Sequence, residues 1–136
     1  MINPGMYSSL TPHWATPQSV YDELDAEFHF TLDPCPLDPT FDGLNIDWTG
    51  TVFVNPPYGN EGKKWVAKGW QSAQQGATVV MLLPSRTDTR WWHDYCMKGE
   101  IRFIKGRLKF GDSKNSAPFP SCIVVFRGQS CKNQPN

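Results

Sequence analysis

Apolar positions along this chain switch between helical and extended spacing, and the switches mark out its elements. Val20, Leu24 and Phe28 recur every four residues, on one face of a helix predicted over 17–28. Thr16-Pro17 stands before it as an N-cap followed by proline at the first helical position, where a missing N–H costs nothing. A short strand is expected at 30–32, ending at Asp33, because Pro34, Pro36 and Pro39 bar a helix or central strand beyond it. Residues 51–54 read as a buried strand stopped by Asn55-Pro56-Pro57. Residues 63–75 carry Trp65, Val66, Ala67, Trp70 and Ala73 at helical spacing, with Gly76 as the C-terminal stop. Val79 to Leu83 run without alternation, which fits a strand over 77–83 covered on both faces and halted by Pro84. Thr87 or Asp88 caps a helix predicted through Met97 and closed by Gly99, and 101–104 is strand-like.

The last third changes character. Arg107 to Phe110 alternates and 121–126 runs apolar, with ten polar, proline-containing residues between them, so a hairpin with a long loop is predicted. Strands alternating with helices before such a hairpin predict a three-layer α/β domain whose sheet is mainly parallel with an antiparallel C-terminal edge. A chain of 136 residues is one domain. It buries roughly two thirds of its unfolded surface, which leaves no room for an elaborate second module. The ends, 1–12 and 129–136, read as flexible. No apolar run approaches the roughly 20 residues of a membrane span, and no signal peptide is evident, so a cytoplasmic protein with no membrane partner is expected.

A net charge of zero conceals a division. Residues 1–62 hold nine carboxylates and no Lys or Arg, whereas 63–136 hold thirteen bases against four carboxylates. The halves thus carry −9 and +9. Such a split reflects either two surfaces with different partners or two halves that attract each other. The four cysteines are widely spaced without a Cys-x-x-Cys pair. Together with His13, His29 and His93 they show no ligand spacing, so no metal is expected and the thiols should be reduced.

The informative segment is Asn55-Pro56-Pro57-Tyr58, at the carboxyl end of a buried strand, where open α/β sheets place their sites. Two prolines hold a backbone carbonyl in place, Asn adds a side-chain carbonyl, and Tyr a flat ring. An aromatic amine is a poor nucleophile because its lone pair is delocalised. Two acceptors aimed at its two hydrogens favour a tetrahedral nitrogen whose lone pair points at an electrophile. The plainer reading is a tight turn that ends a strand.

These residues, with Trp14-Ala15-Thr16-Pro17, Leu32-Asp33-Pro34-Cys35, Asp42-Gly43-Leu44, Asp47-Trp48, Met81-Leu82-Leu83-Pro84, Gly106-Arg107-Leu108-Lys109-Phe110 and Ala117-Pro118-Phe119-Pro120-Ser121, resemble the phage-type DNA N6-adenine methyltransferase family. The resemblance covers about 13–127. It implies a shortened Rossmann-like fold, S-adenosylmethionine as cofactor, DNA as partner, and phage DNA modification against host restriction, with the host cytoplasm as its place of action. It also implies catalysis by Asn55, Pro56, Pro57 and Tyr58 on an adenine flipped from the duplex. Thr16-Pro17 and Asp33-Pro34-Cys35 match cofactor segments. Pro36-Leu37-Asp38 stands where larger relatives have glycines, and the ribose-binding acid must come from Asp42 or Asp38. Asp47 is a candidate for reading the adenine edge. Lys105, Arg107 and Lys109, expected on one strand face near Lys98, Arg102 and Lys114, form a phosphate stripe. Phe110 and Phe119 either stack on the flipped base or cap the core, and Trp92 or Arg90 is exposed toward DNA. With no recognition module, relaxed specificity or help from a second subunit is expected. A nucleic-acid-binding remnant without catalysis, and the same chemistry on RNA or a protein amide, are the rival readings.

Overall fold

In the computed structural model, which describes residues 15–37, 39–111 and 116–128, the sheet is built outward from its most apolar strands. Strands β1 (Thr51–Val54) and β2 (Thr78–Pro84) are parallel, with Thr51 opposite Thr78 and Val54 opposite Met81. Strands β3 (Glu100–Phe103) and β4 (Ser121–Phe126) complete a sheet of order β1-β2-β4-β3. β4 runs antiparallel to both β2 and β3, so the pairing is mostly antiparallel with a single parallel ladder, and the expectation of a mainly parallel sheet is corrected. The reason lies in burial. Every residue of β4 is buried and so needs a neighbour on each side, whereas β3 is exposed at Glu100 and Phe103 and takes the edge. β4 therefore inserts between β2 and β3 and runs against both.

Other expectations are also revised. The antiparallel partner of β4 is 100–103, not 107–110, where no strand forms. After Gly106 (φ 78°) the chain leaves the sheet edge, and Leu108 and Phe110 pack on the sheet face instead. Residues 30–32 reduce to a single parallel bridge between Leu32 and Val52. Helix α1 (Gln18–Phe28) has Pro17 rather than Thr16 at its N-cap, and so no side-chain cap, since a proline side chain has no acceptor; Thr16, one residue earlier, accepts from Asn55 instead. Helix α2 (Gly62–Gln74) falls as expected, with Gly76 (φ 114°) after its end. Helix α3 (Arg90–Asp94) is short, capped by the Thr89 hydroxyl, and followed by a 3₁₀ turn at Cys96–Lys98. That tightening presses Gly99 against Val125 and Phe126 and feeds the chain directly into β3. The terminal segments read as flexible, 1–12 and 129–136, lie outside the described residues.

Two apolar layers sandwich the sheet. On one face Trp65, Val66 and Ala73 of α2 and Trp92 of α3 pack on Val52, Val54, Val79, Met81, Leu83, Val124 and Phe126. On the other, Leu24 of α1 joins Tyr58, Phe110 and Phe119 over Phe53, Val80, Leu82, Ile123 and Val125. The alternation along β1 and β2 dictates this division, since successive side chains of a strand point to opposite faces. Cys35, Cys96 and Cys122 are buried thiols, and burial pushes Cys96 up to about 12.

An ion network fastens the end of α1 to the sheet edge. Arg102 donates to both carboxylate oxygens of Glu27 (2.7 and 2.8 Å) and to Glu100 (2.6 Å), and Arg127 donates to Glu100 (2.8 Å). Both guanidinium groups lie over the Phe28 ring, at 5.4 and 5.5 Å. Arg102 is thereby committed to structure rather than to a partner. Its hydrogen bonds hold Glu27 and Glu100 below the ordinary glutamate value of 4.5. A lowered folded pKa contributes stability that is complete above the unfolded value and lost as pH falls through the folded one. Arg102→Ala should therefore melt a few degrees below the parent at neutral pH. In thermal melts the gap should shrink in about 1 M salt and close as the pH falls through the lowered values of these two carboxyls.

Candidate functional site

Chain direction brings the candidate segments to one edge of the sheet. Asp33 follows the Leu32 bridge, Asn55 follows β1 and Ser85 follows β2, so all three stand at carboxyl ends of strands that run the same way. β3 and β4 meet at that edge too: Ile104 N–H donates to Ser121 O (3.1 Å) and Ser85 N–H to Pro120 O (2.9 Å). The described parts of the connection that follows β3 pack back near it, with Gly111 N–H reaching Ala15 O at 3.0 Å and Ala117 N–H reaching Leu108 O at 2.7 Å.

Asn55 is 3% exposed. Its Nδ2 donates to Thr16 Oγ1 at 3.0 Å, a bond between residues 39 apart in sequence. Pro56 is buried and Pro57 half-buried, so the turn is held by the fold as well as by its prolines. Tyr58 folds back onto the α1 face, where its hydroxyl donates to Leu82 O (3.3 Å). It meets Phe110 and Phe119 edge-on, with centroids 6.3 and 5.5 Å away. Burial drives the Tyr58 phenol pKa far upward, so the group remains a neutral ring at any working pH. Phe110 and Phe119 are both buried, each 4% exposed, and the Arg86 guanidinium lies 5.4 Å from the Phe119 ring.

The proline loop after Asp33 is packed by Gly43, a residue of the Asp42-Gly43-Leu44 block to which the sequence assigned no role of its own. Pro34 and Cys35 are buried, and Asp33 accepts the Cys35 N–H at 2.9 Å. Against them lies Gly43, where a β-carbon would overlap the Pro34 carbonyl oxygen and stand 2.8 Å from the Trp65 ring edge. The Trp48 indole N–H donates to Gly43 O at 2.8 Å. The close backbone approach that a glycine in the loop itself would allow is thus supplied from across, by the Asp42-Gly43-Leu44 turn. A Gly directly after an Asp at a tight turn was the available signal.

Other candidates fall differently. Asp42 is exposed and caps that 3₁₀ turn (Gly43–Asn45), accepting from Leu44 N–H and Asn45 Nδ2. Asp47 lies at the opposite end of β1, lining a cavity of about 500 Å³ with Gly50, Lys68 and Gly76, so the fold does not bring it to Asn55. Lys105, Arg107 and Lys109 are exposed as expected, although on an irregular segment. Lys98 lies 4.6 Å from the Trp70 ring centroid. Trp92 is buried and Arg90 exposed, which settles which of the two faces outward. Asp38 and Lys114 lie outside the described residues. Among the described residues, no three His, Cys, Asp or Glu side chains gather as a metal site, and no helix is long and apolar enough to cross a membrane.

A mixed α/β sheet with a buried Asn-Pro-Pro-Tyr turn on its carboxyl edge fits one class of enzyme. The family model for DNA N-6-adenine-methyltransferase (Dam) matches residues 6–130, so the chain belongs to that family of enzymes, which methylate adenine in DNA. Among known proteins, the DNA N-6-adenine-methyltransferase of Haemophilus phage HP1 is 31% identical, in an alignment covering 83% of this chain and 77% of the phage protein.

Proposed function

We propose that this domain transfers a methyl group from S-adenosylmethionine to N6 of an adenine turned out of duplex DNA. One observation carries the reading above all: the buried Asn55 amide is tied to Thr16, which joins the turn that would hold the amine to the segment that would hold the donor. The Thr16 bond orients the amide, so that its carbonyl together with the Pro56 carbonyl would accept the two amine hydrogens without reorganisation at the moment of reaction. When bound, S-adenosylmethionine supplies an electrophilic methyl on a sulfonium. The amine proton leaves to water, since Tyr58, held neutral by burial, is no base. Tyr58, Phe110 and Phe119 form an aromatic wall against which the extruded base packs.

The chemistry of the donor set suits this cofactor. Asp33 is a half-buried carboxylate with no ion pair to any described base, and residues 1–62 contain no Lys or Arg to compete with a sulfonium. Asp33 with the Pro34-Cys35 backbone would hold the cofactor from one side and Thr16-Pro17 from the other. Lys105, Arg107 and Lys109 would contact phosphates. The deciding experiment is transfer of tritium from labelled S-adenosylmethionine to unmethylated DNA, RNA and protein extract. Label in DNA as N6-methyladenine supports the reading, and label only in RNA or protein overturns it.

Asp33 also makes a stability prediction. Burial lifts its carboxyl above the ordinary 3.8, against the pull of the Cys35 N–H. A raised folded pKa means that the stability it contributes is complete below the unfolded value and lost as pH rises through the folded one. Asp33→Asn keeps an acceptor for Cys35, so it should melt higher than the parent at neutral pH but not in acid. The same variant should bind S-adenosylmethionine about ten- to a hundredfold more weakly by calorimetry, the loss expected for one charged hydrogen-bond partner. Unchanged affinity would remove Asp33 from the cofactor site.

A further inference from the structure

The phosphate stripe at 105–109 lies on the α1 side of the reactive edge, next to Leu108 and Phe110. On the other side of the sheet, between α2 and α3, a groove of about 660 Å³ opens beside the turn that follows Tyr58. Gly59 and Trp91 border both this groove and the small recess behind Pro56, Pro57 and Tyr58, so the two adjoin. Lys63, Lys64 and Arg90 line the groove against one carboxylate, Asp94, and Trp91 and Tyr95 supply half-buried rings.

The cations here are uncommitted in a way that most of the basic half is not. Arg102 and Arg127 are paired with Glu27 and Glu100, Lys68 donates to Leu44 O beside the Trp48 ring, and Lys98 and Arg86 sit over aromatic rings. Lys64 is 3.6 Å from Glu61, but Lys63 and Arg90 make no ion pair with any described residue. Lys63 and Lys64 also occupy the first turn of α2, where the helix dipole disfavours positive charge and the nearby acid is Glu61 at the N-cap, which pairs with Lys64 and not Lys63. Two lysines placed against the local preference make sense where a polyanion lies over them.

We propose that this groove holds the DNA backbone beside the target adenine, with Lys63 and Arg90 on phosphates and Trp91 against the neighbouring nucleotide. DNA then straddles the reactive edge, held by this groove on one side and by Lys105, Arg107 and Lys109 on the other. The proposal rests on the DNA-methylating reading above.

The test is fluorescence anisotropy with a labelled, unmethylated duplex across a salt series, on the full chain. Every phosphate that a substitution leaves unneutralised takes about 0.9 off the slope of log affinity against log salt. Lys63→Gln with Arg90→Gln should thus flatten the slope by about 1.8 and weaken binding on the order of ten- to a hundredfold at physiological salt. Asp94→Asn should tighten binding, an outcome that a folding defect cannot mimic. If the parent binds DNA and the double variant matches it in slope and affinity, the groove is overturned while the DNA reading stands. Failure of Asp94→Asn to tighten binding also counts against the groove, and it decides the matter if the double variant does not melt cooperatively. A parent that binds no DNA at any salt overturns both.

Discussion

Asn55→Ala should lower the rate of adenine methylation by at least about a hundredfold, the cost of removing one preorganised hydrogen-bond partner from a reacting group. The variant loses the amide that would hold the amine and the bond to Thr16 Oγ1. It keeps the strand, the prolines and the ring behind them, so the effect should fall on the chemical step. Stability should drop by only about 1 kcal/mol, that of one buried hydrogen bond. Single-turnover tritium transfer to unmethylated DNA, with calorimetry for the cofactor, separates the two: near-parental S-adenosylmethionine affinity alongside a collapsed rate is the expected pair. An Asn55→Ala protein that methylates at the parental rate would sink the assignment of this turn to catalysis.

The second large effect is expected at a residue with no chemistry of its own. Gly43→Ala adds one methyl group where the Pro34 carbonyl oxygen and the Trp65 ring already meet the backbone. The nearest atom is backbone, so no rotamer change relieves the overlap, and the Asp33-to-Cys35 loop must move away from the Asp42-to-Leu44 turn. Overpacking of this kind costs about 3 kcal/mol, which for a domain of this size lowers Tm by about 10 °C. The loop that moves is the one assigned to the cofactor, so affinity for S-adenosylmethionine should fall further than Tm alone accounts for. This differs in sign from Asp33→Asn, which should gain stability at neutral pH as it loses affinity. A Gly43→Ala protein with parental melting and parental affinity would show that the two loops are not packed as described.

The split between an acidic and a basic half also acquires a structural meaning. Among the described residues, Arg102 pairs with Glu27 and Lys64 with Glu61 across the division. The carboxylate-rich half supplies Asp33 and the Asn55 turn, while exposed bases at 63, 90 and 105–109 flank the same edge from two sides of the sheet.

Much of the domain was legible in the chain alone because local rules govern it. The four-residue recurrence of Val20, Leu24 and Phe28, the helix that ends before Gly76, and the strands stopped by Asn55-Pro56 and Pro84 follow from side-chain geometry and from what proline and glycine permit. The Asn55-to-Tyr58 turn was legible for the same reason, as a short contiguous motif at a strand end. What only the tertiary structure decided concerns competition between segments far apart in sequence. β4 took the place between β2 and β3 because its six residues are all buried, a fact about neighbours that periodicity cannot encode. Pro17 took the N-cap while Thr16 accepted from Asn55, and Gly43 rather than a glycine in the loop made room for Pro34. Lys105 to Phe110 alternated like a strand yet found no strand partner, since β3 had already paired with β4. Local sequence determined which residues fold into which elements and where a strand gives way to a candidate turn. Long-range packing chose which of those residues meet at one edge of the sheet, because the free energy of burial and of hydrogen bonding is settled only when all the segments compete for the same space.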